Sequence, residues 1–322
     1  MTSEPVWITI LGGGPIGLGM AAVFADAGAS VAVVEPDELV RDRAPNMLQS
    51  FRDEMRVAGL LRDRSDRVVA LCESLAHVNR RPQLVIEAGP EDLPVKRRLF
   101  TDIRLHLGPQ VPIATTSSAM TISQILANPD ERRAAVVTHP ANPPTLIRIV
   151  ECVPAPQTEP AVVETVSRLL EWAGFSAVRI GREIEGFAMN RLQSALLREA
   201  YRLVEAGVVD VNGADRLVAE ALGPRWALSG PFETADLNTA GGIAEHVRRL
   251  GPAYARIGEE NGERGLPWSS ELVARVVAQR RAALPESHRD ARVDWRRQAL
   301  AALIACKREA VNADNKQRAA DD

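Results

Sequence analysis

Residues 6–35 read VWITILGGGPIGLGMAAVFADAGASVAVVE, and this stretch decides the fold. VWITIL (6–11) is a short apolar run with β-branched residues, the pattern of a buried strand. GGGPIG then places Gly12, Gly14 and Gly17 in G-x-G-x-x-G spacing, and a helical apolar pattern follows through about Ala27. VAVVE (31–35) is the next strand and ends on Glu35, 18 residues after Gly17. Strand, glycine loop, helix, strand and acidic residue form a dinucleotide-binding unit. Gly12 permits the tight turn, Gly14 lets the backbone approach a pyrophosphate, and Gly17 allows close helix–strand packing. The helix N-terminus, with Pro15 and Ile16 in its first turn, attracts the phosphates. Glu35 should accept hydrogen bonds from the adenosine ribose hydroxyls and repel a 2′-phosphate, so the expected cofactor is NAD. Arg41 and Arg43 lie close enough in sequence to moderate that repulsion.

Outward from this unit, the first half alternates short apolar runs with helical patterns. RVVAL (67–71), QLVIEA (83–88), VPIATT (111–116) and AAVVT (134–138) read as strands. A helical hairpin is expected over about 38–64, with Phe51, Met55 and Leu60 on one face. TLIRIVECV (145–153) and SAVRI (176–180) read as strands flanking a helix near 159–173. The fold class is therefore α/β: a Rossmann-type, doubly wound, mostly parallel sheet. After about residue 184 the pattern turns helical. FAMNRLQSALLREAYRLVEAGV spaces its apolar residues by three and four, and Gly207 follows as a C-cap signal. Further helical segments are expected at about 213–222, 234–260, 268–283 and 291–310. The domains expected are 1–183 for the cofactor and 184–322 as an all-α domain for substrate and dimerisation. The polar tail from about 312 is expected to be disordered.

At 322 residues, with 46% hydrophobic and 25% charged residues, the chain has the composition of a soluble globular protein. A net charge of -3 does not favour nucleic acid. No apolar run has the length of a membrane helix, and MTSEPVWITI has no basic region ahead of its apolar stretch, so neither membrane span nor signal peptide is expected. Cys72, Cys152 and Cys306 have no CxxC spacing, which suits reduced thiols in a cytoplasm. The five histidines lack metal-ligand spacing, so no metal is expected.

One further stretch is hard to explain as scaffold: THPANPPTLIRIVE, residues 138–151. Period-2 alternation puts Arg148, Val150 and Cys152 on one strand face and Ile149 and Glu151 on the other. Glu151 thus shares its face with apolar residues, and a buried carboxylate needs a partner. His139 opens the connection leading into this strand and could lie alongside it. Such a pair would fix the imidazole tautomer and make a general base for an alcohol proton.

Together GGGPIG, EAGPEDLPVK, TTSSAMTIS, HPANPPTLIRIVE and GFAMNRLQ resemble, in order and spacing, the 3-hydroxyacyl-CoA dehydrogenase family. RLVEAGVV, GPRWALSGPFET and DWRRQALAAL resemble its lambda-crystallin/L-gulonate 3-dehydrogenase branch, and the similarity spans about residues 6–310. The resemblance implies an NAD-dependent dehydrogenase in which His139 is the catalytic base and Glu151 orients it. It places Ser117 on the serine that hydrogen-bonds the substrate oxygen, with Ser118 as the alternative, and Asn190 on the asparagine that holds substrate or base. Glu91 and Lys96 fall on positions that contact the nicotinamide half of the cofactor. Arg225 sits where the gulonate-type branch has an arginine suited to a carboxylate. The expected substrate is then a small hydroxy acid resembling L-gulonate, oxidised at its 3-hydroxyl. The alternatives are an L-3-hydroxyacyl-CoA or carnitine dehydrogenase, and, in another class, a non-catalytic crystallin-like NADH-binding protein. The resemblance also implies a homodimer. Arg148 departs from the family pattern, in which a small residue or proline is expected.

Overall fold

The computed structural model describes residues 5–62, 69–260, 262 and 270–293, and positions 295, 299, 303, 306 and 309. The chain separates into two compact units, Met1–Leu196 and Leu197–Asp322. The expected disordered tail from about 312 lies outside the described residues.

The first unit is built on β1 (Trp7–Leu11), α1 (Pro15–Asp26), β2 (Ser30–Val34), α2 (Glu38–Val57), β3 (Val69–Cys72), β4 (Leu84–Glu87), α3 (Leu93–Leu107), β5 (Ile113–Thr115), α4 (Ile122–Ile125), β6 (Ala135–Pro140), β7 (Ile149–Pro154), α5 (Pro160–Ala173) and β8 (Ser176–Arg179). The strands form one sheet in the order β3-β2-β1-β4-β5-β6-β7-β8. Every pairing is parallel except β6 with β7. The order reverses between β1 and β4, which makes a ligand crevice at the carboxyl ends of those strands.

Strand alternation sorts the core into two layers. Ile8, Ile10, Leu84, Ile86, Val136 and Val150 pack with α1 and α5 on one face. Val85, Ile113, Val137 and Val153 pack with Phe100 and Ile103 of α3 on the other. Asp92 starts α3 by accepting the Val95 N–H at 2.9 Å, an N-cap that fixes where the helix begins.

In the first unit, three expected elements differ. In place of the hairpin expected over 38–64, whose last two residues lie outside the described ones, there is a single helix, α2, which runs past Pro45 and ends at Val57 with Ala58 as its cap, followed by Gly59 with φ +66°. A proline costs one intrahelical bond and need not end a helix that holds an apolar face on the core; Met55 on that face is buried. The strand expected over 145–153 begins only at Ile149, because residues 143–147 form a turn in which the Leu146 and Ile147 N–H groups donate to the Pro143 carbonyl. The strand before it extends through His139 and Pro140, beyond its expected end at Thr138.

The helix α6 (Met189–Glu205) spans the join between the units, and Gly207 follows it with φ +68°. In the second unit Val211–Arg216 (α7), a π-helical turn and Gly223–Trp226 (α8) run on without a break. The helix expected over 234–260 is two, α9 (Pro231–Asn238) and α10 (Gly242–Glu260). Gly241 and Gly242 adopt φ +89° and +73°, left-handed values that a continuous helix cannot contain. α11 (Ser270–Ala283) follows. Among the described residues the second unit contains no strand.

Candidate active site

The glycine loop has the geometry its spacing predicts. Gly12 has φ +112°, and a Cβ there would lie 2.4 Å from the Ala88 carbonyl oxygen. A Cβ on Gly17 would lie 2.1 Å from the Gly12 carbonyl oxygen. Gly14 is different: the space its Cβ would fill has nothing within 4 Å, and it stands at the N-cap of α1, where Pro15 opens the helix. Glu35 sits just past β2; its Oε2 accepts from Gly13 N–H at 2.7 Å and its Oε1 from Asp37 N–H at 2.9 Å. Arg41 donates to the Glu35 and Pro36 carbonyls, both at 2.7 Å, so its guanidinium is held by backbone beside the loop.

His139 is not in a connection but inside β6, directly opposite Glu151 of β7. The antiparallel pairing and the shared face bring Nδ1 of His139 to 2.8 Å from Glu151 Oε2. Both side chains are buried. The second Glu151 oxygen accepts the N–H groups of Ala188 and Met189 at 2.9 and 3.0 Å. Those two donors follow Gly186 and Phe187, which both have positive φ, +74° and +49°. A phenylalanine in the left-handed region is strained, and here the turn aims two successive N–H groups at a carboxylate. The Phe187 ring is fully buried and lies 5.5 Å, centroid to centroid, from the His139 ring.

Ser117 follows β5 and is buried, whereas Ser118 is exposed. The Ser117 hydroxyl donates to Glu91 Oε1 at 2.5 Å and accepts from Met120 N–H at 2.8 Å. Ser118 and Ala119 donate their N–H groups to the same Glu91 oxygen. Asn190, in the first turn of α6, donates its amide to the Ser118 carbonyl at 2.8 Å. Glu91 retains 40% side-chain exposure, while Lys96 retains 1%. Lys96 reaches Glu87 at 3.1 Å and Glu91 at 3.4 Å. The buried lysine therefore faces carboxylates of its own unit. Arg148 turns away from His139: its guanidinium donates to the Thr145 carbonyl at 3.2 Å and meets Met55 Sδ at 2.9 Å.

Arg225 lies in the second unit, exposed, on a pocket of about 770 Å³ lined also by Trp226, Phe232, His246 and Tyr254. Among the described residues no cluster of His, Cys, Asp and Glu could hold a metal ion, and no helix is long and apolar enough to cross a membrane.

Sequence reasoning missed Phe187, Glu87 and Thr115. Glu87, at the end of β4, carried a signal related to that of Glu151 within β7, a carboxylate in an apolar strand.

Residues 7–184 match the NAD-binding domain of 3-hydroxyacyl-CoA dehydrogenase, and residues 186–283 match its C-terminal domain. The chain belongs to the 3-hydroxyacyl-CoA dehydrogenase family. A lambda-crystallin homolog of Bos taurus is 34% identical over 321 residues, covering 96% of this chain and 98% of that protein. L-carnitine dehydrogenase of Streptomyces coelicolor is 32% identical over 247 residues, covering 76% and 78% of the two chains. The solved structure of an NAD-dependent 5-formyl-3-hydroxy-2-methylpyridine 4-carboxylic acid 5-dehydrogenase is similar with a TM-score of 0.70 and 26% identity, covering 91% of this chain and 98% of that one. As a member of the 3-hydroxyacyl-CoA dehydrogenase family the chain is an NAD-dependent oxidoreductase, and its residues fit that cofactor. The open space at Gly14 leaves room for a pyrophosphate at the N-terminus of α1, and Glu35 stands at the end of β2, where the adenosine ribose is expected.

Proposed function

We propose that this chain oxidises the 3-hydroxyl of a small hydroxy acid, with L-gulonate as the reference substrate. The observation that carries the chemistry is the buried His139–Glu151 contact. With Nδ1–H donated to Glu151, Nε2 of His139 is the nitrogen left to accept a proton. His139 then takes the alcohol proton at Nε2, and the ionised Glu151 stabilises the imidazolium that forms. Bound NAD supplies the acceptor for the carbinol hydride. Ser117 turns its hydroxyl from Glu91 to the substrate oxygen when substrate binds, and Asn190, through the Ser118 carbonyl, holds the turn that carries Ser117. Gly12, Gly14, Pro15, Ile16, Gly17 and Glu35 bind the cofactor, and Glu91 with Lys96 borders its nicotinamide half.

The substrate class rests on Arg225 as a carboxylate partner and on the relatives. Two of the three named above are named for molecules bearing a free carboxylate, not a thioester. Exposed Tyr201, Val208, Val211 and Leu217 in the second unit support a homodimer, in which a second copy covers them. Three free cysteines support a cytoplasmic setting.

The test is a panel of L-gulonate, L-3-hydroxybutyrate, L-carnitine and L-3-hydroxybutyryl-CoA, with NAD at alkaline pH, following NADH formation. The free acids should be preferred, with L-gulonate or a close analogue highest. Preference for the thioester would overturn the substrate class. Complete inactivity with intact NADH binding would favour a crystallin-like role.

A further inference from the structure

Glu87 takes no part in the chemistry proposed above, yet it is fully buried with a buried lysine on it. An ion pair removed from water is often no more stabilising than an apolar pair of the same volume, so stability alone does not account for Glu87 and Lys96. Their placement follows from the fold. Glu87 leaves β4 on the same face as Val85, the face that α3 covers, and Lys96 lies one turn before Phe100 on the inner side of that helix.

Each bond to Glu87 holds a different part of the carboxyl edge. Its Oε1 accepts Gly89 N–H at 2.8 Å, fixing the turn whose Ala88 carbonyl packs on Gly12. Its Oε2 accepts the hydroxyl of Thr115, its direct partner on β5, at 2.6 Å. The Thr115 oxygen in turn accepts Ser117 N–H at 3.3 Å. Lys96 reaches both Glu87 oxygens, at 3.1 and 3.2 Å, and shares its ammonium with Glu91 Oε2. The other Glu91 oxygen gathers Ser117 Oγ and the N–H groups of Ser118 and Ala119. Two routes, one through Thr115 and one through Lys96 and Glu91, therefore run from Glu87 to Ser117.

We infer that Glu87 is a positioning residue: through Thr115 and Lys96 it sets the Glu91 carboxylate and the Ser117 hydroxyl at the carboxyl edge of the sheet. Its catalytic consequence rests on Ser117 contacting substrate, as proposed above. Glu87→Gln keeps the side-chain shape, removes one acceptor oxygen and leaves the Lys96 ammonium to Glu91. The double variant E87Q/K96M removes both buried charges together, so it has no unpaired ammonium.

The test combines hydrogen exchange of the cofactor-free protein, NADH binding by fluorescence, and kinetics on the best substrate of the panel. In E87Q the amides of Ser117, Ser118 and Ala119 should exchange about tenfold faster, the size of one lost hydrogen bond. The kcat should fall roughly 10- to 100-fold while the NADH dissociation constant stays within about threefold. Adding K96M should change kcat by less than its single-variant effect, because the two residues act on one route. Exchange at 117–119 indistinguishable from wild type in E87Q would overturn the inference. So would a uniform rise across the whole sheet, which marks a stability role only. Ser117→Ala run alongside separates the two claims. Wild-type kinetics in S117A would sink the functional reading, while the exchange data would still judge Glu87.

Discussion

Ser117 donates its hydroxyl hydrogen to Glu91 across 2.5 Å, joining the turn after β5 to the turn before α3. Burial alone would raise the Glu91 carboxyl. The Ser117 hydroxyl, the Lys96 charge and the Ala119 N–H outweigh it and hold the group below the ordinary glutamate value of 4.5. A carboxyl lowered in the folded state adds stability that is complete above the ordinary value and is lost as pH falls through the lowered one. The melting temperatures of wild type and Glu91→Gln should therefore differ by a constant amount from about pH 7 to about pH 4.5, and converge below that. A gap that stays the same down to about pH 3 would show that Glu91 is not held in this way.

Removal of the proposed base should separate chemistry from binding. His139→Ala should lower kcat by about 10²–10⁴-fold, with NADH binding nearly unchanged, since His139 lies in β6 and the glycine loop follows β1. Glu151→Gln should keep the fold but lower kcat, because the imidazolium loses its counter-charge. Equal losses of turnover and NADH affinity would point instead to a collapsed first unit.

Gly14 and Gly17 should respond in opposite ways to the same added methyl group. At Gly14 the Cβ meets nothing, so Gly14→Ala should melt like wild type and lose NADH affinity, through obstruction of the pyrophosphate. At Gly17 the Cβ runs into the Gly12 carbonyl, so Gly17→Ala should lower the melting temperature by several degrees as helix and loop separate. Thermal melts paired with fluorescence titrations of NADH decide both.

Cysteine reactivity gives an independent check of burial. Cys152 points into the core, and burial pushes its thiol up to about 11. At pH near 8 it should resist iodoacetamide in the folded protein, because the thiolate is the reactive form. Cys306 is exposed and should label first. Peptide mapping after timed labelling reads this directly; early modification of Cys152 would contradict its burial.

The cofactor half of the fold was legible because its signals are local and steric. Gly12 and Gly17 are demanded by atoms less than 3 Å away, and the apolar runs of β1 and β2 have the strand period. The contact at Glu151 was legible because a buried carboxylate among apolar residues needs a partner, and His139 lies 2.8 Å from it. His139 was nonetheless placed in a connection. Pro140 looks like a strand breaker, but as the last residue of β6 its missing N–H leaves the strand intact. The Ala188 and Met189 donors to Glu151 are backbone groups, which leave no side-chain signature in a sequence. The break of the helix expected over 234–260 needed two adjacent glycines to be read as left-handed, where a single glycine is tolerated inside a helix.

The single antiparallel pairing in the sheet has a further consequence. Because β7 doubles back on β6, the histidine and its carboxylate are separated by twelve residues of chain, and their remaining partners, Phe187, Ala188 and Met189, precede Leu196. Closing so short a loop costs little entropy. During synthesis from the N-terminus the pair can thus form before the second unit has left the ribosome. Its shape is set by the β6–β7 pairing together with the turn at Gly186 and Phe187, a short stretch of chain that carries its own donors to the carboxylate.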